Sequence, residues 1–563
     1  MRRPALVVVA LVVLSVVTPA VALQSAAAPT AAAPAAPTDT DAPATQSSAP
    51  PDPERDVLGW ENGYWYNESV AVNSGDGLNQ TELDAVVARS MARVEEVRQL
   101  EFESTVPVDI LSRAEFREQN REGYSNVSIE NSLHQNVKYE VLFMVNETTD
   151  AVAVQEANQG ASVGGYYSPA EKRIVVVSDN TTSPQLSEVT LAQELFHALQ
   201  DQQYDLTSFN QSTREKHNAI DGIVEGDGNY VDYLYQQRCE LNEGAEGYWG
   251  ECLQDTPTNG TGGGQLANIG LYLLVYQPYS DGPPFVKQLH ERGGWEAVNA
   301  VYENPPASTE QTIHPKKYGE DAPTPIRIED RSNESWEPLD LPDSLDYAEF
   351  GEAGVFSMFM YPALETQGQT QIIPAASFFN RNGAGEINPL DPYNYTSQYS
   401  AGWDGDKLLP YVTNGSADTN ETGYVWKLAW DSPDDAEEFY TGYRQLLDYR
   451  GAERVGEDTY VLPDSGGYGD AVHVMVEGNT TTIVNAPTVD SLSGVDDRIE
   501  VQEVPNGTNV TNGTNGTAGT SDAGEDTSDE DASTGDGPGF GVVAAVVALL
   551  VAALFARTRT RRD

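Results

Sequence analysis

The sequence predicts an α+β protein with two folded domains, one at residues 57–340 and a smaller one at residues 341–500. Hydrophobic residues make up 39% of the 563-residue chain and aromatic residues 9%, which is enough apolar surface to build cores. Amphipathic helical patterns and short apolar strands are mixed along both ranges, which indicates the α+β class. The two ranges hold about 440 residues, more than one core usually serves, so two domains are expected.

The first domain is predicted to begin with a helix that Thr81 caps and that runs to Leu100. Small polar side chains favour this position because they accept hydrogen bonds from the first free amides of a helix. The later elements follow from apolar periodicity and turn residues. They are a strand at 106–111, a helix at 112–121, two short strands between 163 and 178 joined by a turn at 168–172, and helices at 185–203 and 213–237.

The second domain shows strands and one amphipathic helix. Ser432 is expected to cap this helix, which ends near Tyr449. Gly478 marks a hairpin turn between two apolar strands. The predicted strands lie at 406–413, 424–430, 472–476 and 481–485. This domain carries no catalytic motif.

The chain carries 87 acidic against 32 basic side chains, a formal net charge of −55. Binding to nucleic acid or docking on an anionic membrane face needs clusters of Lys and Arg, so no nucleic-acid partner is expected. Acidic residues spread along a whole chain are typical of a surface that stays hydrated in concentrated salt, where screening weakens self-repulsion. The composition therefore indicates a protein from a halophile.

The N-terminus has the pattern of a secretory signal peptide at residues 1–22. Arg2 and Arg3 precede an apolar run from Ala5 to Val17, and small residues after it suit a cleavage site. The run is too short to span a bilayer, and the arginine pair leaves both Sec and Tat export open. Residues 23–56, rich in Ala, Pro and Thr, are expected to form a disordered linker.

The C-terminus combines three features in a fixed order. Pro538, Gly539 and Phe540 come first, an apolar segment at 540–556 follows, and a cluster of arginines ends the chain. This order resembles the PGF-CTERM signal of haloarchaeal surface proteins. The resemblance implies that an archaeosortase-type enzyme removes residues 538–563 and that a lipid anchor replaces them. A plain transmembrane anchor is the alternative, and both leave the rest of the chain outside the cell.

Sixteen N-x-S/T sequons support an exterior location, since such asparagines accept glycans in secreted proteins. Four of them repeat at short intervals within residues 501–537, a stretch rich in Thr, Asn and Asp. These four are Asn506, Asn509, Asn512 and Asn515. The repeat predicts a glycosylated stalk between the second domain and the anchor.

The chain has two cysteines, Cys239 and Cys252. In an oxidising exterior a disulfide between them is expected, and it would stabilise the fold by about 3 kcal/mol if its geometry is unstrained. Two reduced and buried thiols are the alternative.

The residues with the clearest chemical potential lie on the predicted helix at 185–203. Gln193, Glu194 and His197 occupy the positions of the H-E-x-x-H pattern, in which two histidines one turn apart bind zinc and the glutamate activates a water. Gln193 replaces the first histidine of that pattern. On the next helix, Glu225 stands where some zinc peptidases place a third, carboxylate ligand.

Four segments in order resemble a family of secreted archaeal and bacterial metallopeptidase-like proteins. They are the strand region 164–177, the helix around Glu194, the stretch around Glu225 and a block at 308–318. The likeness spans roughly residues 75–490. It implies a zincin-like first domain, with His197 and Glu225 as zinc ligands and Glu194 as general base. His314 would be an oxyanion donor or a buried structural histidine.

Gln193 decides what this helix is expected to do, because an amide oxygen is a much weaker zinc ligand than an imidazole. Three hypotheses stay open: a packed scaffold without metal, a weak or alternative metal site, and a working zinc peptidase. Zinc is therefore the expected cofactor only if the site is not degenerate. His217, two turns before Glu225, lies too far along its helix to coordinate the same ion.

The preferred hypothesis is an anchored surface protein of a halophilic archaeon, associated with the S-layer or envelope. Its metallopeptidase-like domain would be inactive and act in binding or in envelope structure. A former peptidase cleft would bind extended polypeptides by strand addition near Tyr166–Val177. The alternative is an active zinc metallopeptidase that cleaves extracellular peptides.

Overall fold

The computed structural model describes residues 50–72, 76–178, 180–184, 186–253, 266–342 and 344–500. The predicted signal peptide, the stalk asparagines and the sorting motif at 538–540 lie outside these residues. Within them the protein mixes helices and sheets, which confirms the α+β class. No helix in the described ranges is long and apolar enough to cross a membrane.

Helices carry most of the first half of the described chain. They are α1 (Gln80–Arg98), α2 (Arg113–Tyr124), α3 (Ile129–Glu140), α4 (Ala151–Ser162), α5 (Glu188–Tyr204), α6 (Arg214–Cys239), α7 (Ile269–Glu303), α8 (Thr309–Ile313), α9 (Gly351–Glu365), α10 (Ser416–Thr419), α11 (Pro433–Tyr449) and α12 (Val489–Val495). The long helix α7 bends at Gly293 and Gly294, where the backbone angles leave the helical range.

The longest strands all follow α9. The strands are β1 (Trp60–Glu61), β2 (Tyr64–Trp65), β3 (Val108–Leu111), β4 (Gly165–Ser168), β5 (Arg173–Val177), β6 (Glu337–Pro338), β7 (Trp403–Val412), β8 (Gly423–Trp430), β9 (Glu453–Gly456), β10 (Thr459–Val461), β11 (Ala471–Glu477) and β12 (Thr480–Ala486).

The described residues form a two-stranded antiparallel sheet of β1 and β2 and two larger sheets. The larger of these two is antiparallel with the order β6-β7-β8-β12-β11-β10-β9, and its β11–β12 hairpin turns at Gly478 as predicted. The smaller has the order β3-β5-β4, in which β3 runs parallel to β5 and β4 runs antiparallel to it. Strand β4 is therefore an edge strand, and it packs beside α5.

Helix caps explain where the predicted helices begin. The prediction that Thr81 caps α1 is wrong: Asn79 caps it, because its side chain accepts from the Thr81 and Glu82 amides while Glu82 reaches back to the Asn79 amide. Ser187 caps α5, since its side chain accepts from the Thr190 amide. The helix therefore begins at Glu188 and not at residue 185 as predicted. Ser432 caps α11 as predicted.

The largest apolar core joins elements from both sides of residue 340. It includes Leu142 and Phe143 after α3, Leu274 of α7, Phe356 of α9 and Trp426 of β8, all at most 3% exposed. A second core holds α1, α5 and the small sheet together. Helices α5 and α6 are thus packed on apolar side chains along most of their length.

Helix α1 also carries arginines that are fully inside the protein. Arg93 and Arg89 both donate to the carboxylate of Glu188, at 2.5 and 2.8 Å, and Tyr235 donates to the same group at 2.8 Å. Burial alone would raise the pKa of Glu188, but the two guanidinium groups outweigh it and lower that pKa. The first turn of α5 is therefore held by an ion pair sealed from water.

Candidate functional site

The residues of the degenerate zinc motif meet where α5 crosses α6. Gln193, Glu194 and His197 lie within about one turn of α5, and the Nε2 atom of His197 lies 3.4 Å from Oε2 of Glu225 on α6. Gly228 permits this approach, since a Cβ atom there would lie 3.1 Å from the His197 ring. The structure thus brings Glu194 and His197 together with Glu225, and it places Gln193 one turn before His197 on the same helix.

Gln200 fixes the orientation and the tautomer of His197. The Nε2 group of Gln200 donates to the Val224 carbonyl at 2.8 Å and to the Tyr302 hydroxyl at 2.6 Å. Its Oε1 atom must then accept from Nδ1–H of His197, 2.7 Å away. A neutral imidazole in this tautomer would direct its Nε2 lone pair at the Glu225 carboxylate. A positive centre between the two groups, either a proton or a metal ion, removes that repulsion.

The electrostatics favour a proton in this position. Burial alone would lower the pKa of His197, but the Glu225 carboxylate outweighs it and raises that pKa to about 9. Burial raises the pKa of Glu194 to about 8, with His197 opposing the shift and Glu225 adding to it. Burial raises the pKa of Glu225 as well, with His197 opposing that shift, so this group of buried side chains holds protons more tightly than the same groups in water.

Glu194 lies between α5 and the edge strand β4. Its two oxygens lack a hydrogen bond of normal geometry among the described residues, although the Tyr167 amide faces them. A Cβ atom on Gly165 would lie 3.8 Å from Oε1 of Glu194. The outer edge of β4 is therefore directed at this carboxyl group.

Several buried polar atoms of the site have no hydrogen bond of normal geometry among the described residues. They are Nε2 of Gln193, Nε2 of His197 and both carboxylate oxygens of Glu194 and of Glu225. The Tyr279 hydroxyl lies beside Glu225 and favours its charged form. Such unpaired atoms in a native interior call for an explanation, and a metal site is one.

Zinc fits this arrangement only in part. Two ligands about 2.1 Å from a tetrahedral zinc ion lie about 3.4 Å apart, which matches the separation of His197 Nε2 and Glu225 Oε2. Gln193, one turn before His197 on α5, offers only an amide as a third ligand. Among the described residues, no third His, Cys, Asp or Glu atom lies within 4.8 Å of both groups, since the clusters that meet this criterion are elsewhere. A catalytic zinc with three strong protein ligands therefore does not fit.

A second layer of hydrogen bonds supports Gln200 from behind. The Tyr302 hydroxyl donates to Asp227 at 2.8 Å, and Arg98 holds both oxygens of Asp227 at 3.0 Å. The Arg98 guanidinium also stacks on Trp295, 4.4 Å from the ring centroid. Arg98 and Tyr302 were not predicted as part of the site, because no motif connects these distant positions in the sequence.

The other two candidate histidines pair with carboxylates of their own. Nε2 of His217 lies 3.1 Å from Asp221, one turn along α6, and so does not complete the site at His197. Nε2 of His314 lies 3.1 Å from the fully buried Glu352. Burial would lower the pKa of His314, but the hydrogen bond with Glu352 outweighs it and raises that pKa.

Cys239 and Cys252 form a disulfide with their Cα atoms 5.4 Å apart. It joins the last residue of α6 to the segment that covers Arg93, whose guanidinium donates to the Trp249 carbonyl at 2.8 Å. The disulfide therefore links the end of α6 to the segment that covers the buried ion pair of Arg93 with Glu188.

Comparisons with protein families match two parts of the chain. Residues 338–496 match a domain of unknown function, DUF8575, and residues 537–559 match the PGF-CTERM motif. No curated protein and no solved structure matches. No family match covers α5 or α6, which carry the candidate site.

The PGF-CTERM match confirms the resemblance at the C-terminus and indicates where in the cell the protein is located: at the cell surface. The motif marks archaeal cell-surface proteins that are anchored to the membrane at the C-terminus, and it is the motif that an archaeosortase recognises. This chain is therefore a C-terminally anchored archaeal surface protein.

Proposed function

We propose that this surface protein acts in binding or in envelope structure without hydrolysing peptides, and that its zincin-like helix pair serves as a packed scaffold. Gln193 at a ligand position supports this proposal, since it removes one of the three strong ligands that catalytic zinc needs. The pairing of His197 with Glu225 supports it as well, because a proton can hold these two groups together without metal.

The burial of the four site residues carries the proposal. Gln193 is 4% exposed, Glu194 and Glu225 are 1% exposed, and His197 has no exposed surface. A peptidase must bring the scissile carbonyl within hydrogen-bonding reach of the general base and of the activated water. Among the described residues, the surroundings of Glu194 leave almost none of its surface for contact with a polypeptide main chain.

Binding of an extended polypeptide is better supported at β3 than at β4. Gly165, Tyr167 and Ser168 of β4 are buried, and their outer edge faces Glu194. In β3, at the opposite edge of the same sheet, Asp109 is exposed and its neighbours are half-buried. Strand addition needs an accessible edge, so β3 is the edge that an added strand would pair with.

Metal analysis tests the proposal directly. The ectodomain purified in concentrated salt should hold far less than one zinc ion per chain and should not hydrolyse peptides. Gln193→His should raise zinc occupancy, because it supplies the missing strong ligand beside His197 and Glu225. Gln237→His, at an exposed position of α6, is the matched control and should leave occupancy unchanged.

An active metallopeptidase is the second candidate. The two carboxyl oxygens of Glu194, which have no hydrogen bond of normal geometry among the described residues, favour it. It requires about one zinc ion per native chain and hydrolysis that Glu194→Ala abolishes while the fold is kept. That pair of results would overturn the scaffold proposal.

A further inference from the structure

The sequons of the described chain differ in whether their amide nitrogen is available. Asn420 donates from Nδ2 to the Glu147 carbonyl at 2.8 Å, and the hydroxyl residue of its sequon, Thr422, is buried. Asn479 donates from Nδ2 to the Trp430 carbonyl at 2.9 Å, and its Thr481 is fully buried. In these two sequons the fold engages the amide nitrogen in a hydrogen bond and buries the hydroxyl residue.

The sequons of Asn180 and Asn210 differ from these two both in burial and in the use of the amide nitrogen. Both asparagines are exposed, and so are the hydroxyl residues of their sequons, Thr182 and Ser212. Among the described residues, every side-chain hydrogen bond of either asparagine uses the amide oxygen. The Asn180 oxygen accepts from the Thr182 amide at 3.3 Å, and the Asn210 oxygen accepts from the Ser212 amide at 3.2 Å. Each turn thus engages the amide oxygen and leaves the nitrogen without a hydrogen bond to the described residues.

The amide nitrogen is the atom that N-linked glycosylation modifies. A bond forms between Nδ2 and the anomeric carbon of a saccharide, while the bond from that carbon to the phosphate of a lipid carrier breaks. The amide gives up one proton, and the carrier leaves with its phosphate. A saccharide can approach Nδ2 only where neither the nitrogen nor the sequon hydroxyl is packed inside the protein.

We propose that Asn180 and Asn210 carry N-linked glycans transferred from a lipid-linked saccharide, whereas Asn420 and Asn479 stay unmodified. Asn180 follows β5 and Asn210 lies between α5 and α6, so the two glycans stand on the connections before and after α5. The surface location gives the chain access to such a donor. This inference does not depend on whether the site at His197 binds metal.

Mass spectrometry of glycopeptides tests the proposal on protein purified from the cell that produces it. Peptides with Asn180 and Asn210 should carry a saccharide, and peptides with Asn420 and Asn479 should have their unmodified mass. Thr182→Ala and Ser212→Ala should each remove the saccharide at their own sequon only. Thr181→Ala and Gln211→Ala, at the middle positions of the same sequons, are the matched controls and should keep it.

Two results would overturn the proposal. One is an unmodified Asn180 or Asn210 in the wild-type protein. The other is a saccharide on Asn420 or Asn479, which would mean that the folded environment does not decide which sequons are used.

Discussion

The orientation of His197 depends on one amide side chain. Gln200 uses its oxygen for His197 and its nitrogen for both Val224 and Tyr302, and it is fully buried. Hydrogen-bonding groups that lose their only partner in an interior cost more free energy than the bond itself contributes. Gln200 therefore stabilises the helix pair whether or not the site holds a metal.

Gln200→Leu should lower the free energy of unfolding by about 1–3 kcal/mol, because it leaves the His197 Nδ1–H group buried without its acceptor and removes the donor to the Tyr302 hydroxyl. Chemical denaturation at constant salt measures the change. Gln237→Leu, at an exposed position of α6, is the control and should change stability by less than about 0.5 kcal/mol. Equal effects of the two substitutions would contradict a supporting role for Gln200.

The crossing of α6 and α7 depends on glycines where the two backbones touch. A Cβ atom on Gly226 would lie 2.6 Å from the carbonyl carbon of Gly282, and one on Gly282 would lie 2.7 Å from the Gly222 oxygen. Glu225 and Asp227 flank Gly226 on α6. The close approach therefore positions a candidate site residue as well as the helices.

Gly226→Ala should destabilise the protein by about 1–3 kcal/mol, because the added methyl group forces the two helices apart. Gly123→Ala is the matched control: it lies in α2, and a Cβ atom there meets nothing within 4 Å. The control should be neutral or stabilising by up to about 1 kcal/mol, owing to the better helix propensity of alanine. Denaturation midpoints of the two variants give the comparison, and a neutral Gly226→Ala would disprove the tight crossing.

The helices and strands of the candidate site were predictable because their patterns are local. Apolar periodicity placed α5 and α6, and alternation with turn residues placed β4 and β5. Helix starts were less certain, as Asn79 shows, because several polar residues in a row can each act as a cap. The contact of Gly226 with Gly282 could not be predicted, since it joins residues far apart in the chain. The same holds for the network of Arg98, Asp227 and Tyr302.

At the scale of the whole molecule, three carboxyl groups join distant parts of the chain. Glu140 ends α3, Glu147 follows shortly after, and Asp470 precedes β11, with ligand-type oxygens within 4.8 Å of one another. Asn485 donates to Asp470 at 2.9 Å. Burial raises the pKa of all three groups, that of Glu147 to about 7, and Asp470, Glu421 and Asp464 add to the Glu147 shift. The contact is therefore most stable when its carboxyls are protonated.

Stability should fall as the pH rises from about 4.5 to 7, because the unfolded chain releases these protons first and the folded cluster then charges. Glu147→Gln should flatten this decline, since the amide cannot ionise. Melting temperatures recorded across this pH range at a fixed salt concentration measure the decline in stability. Glu438→Gln, at an exposed position of α11, should leave the decline as in the wild type. Parallel curves for all three proteins would rule out the cluster as the cause.

The buried arginines of α1 affect how the protein responds to ionic strength. At about 1 M salt the Debye length is about 3 Å, so dissolved ions screen most of the attraction between charges at the surface. The pairs of Arg93 with Glu188 and of Arg98 with Asp227 have no exposed side-chain surface, and dissolved ions cannot come between their partners. These two ion pairs thus keep their strength in concentrated salt, while the repulsion among the acidic groups at the surface weakens. Dilution would restore the repulsion among the surface carboxylates and leave these two buried pairs unchanged.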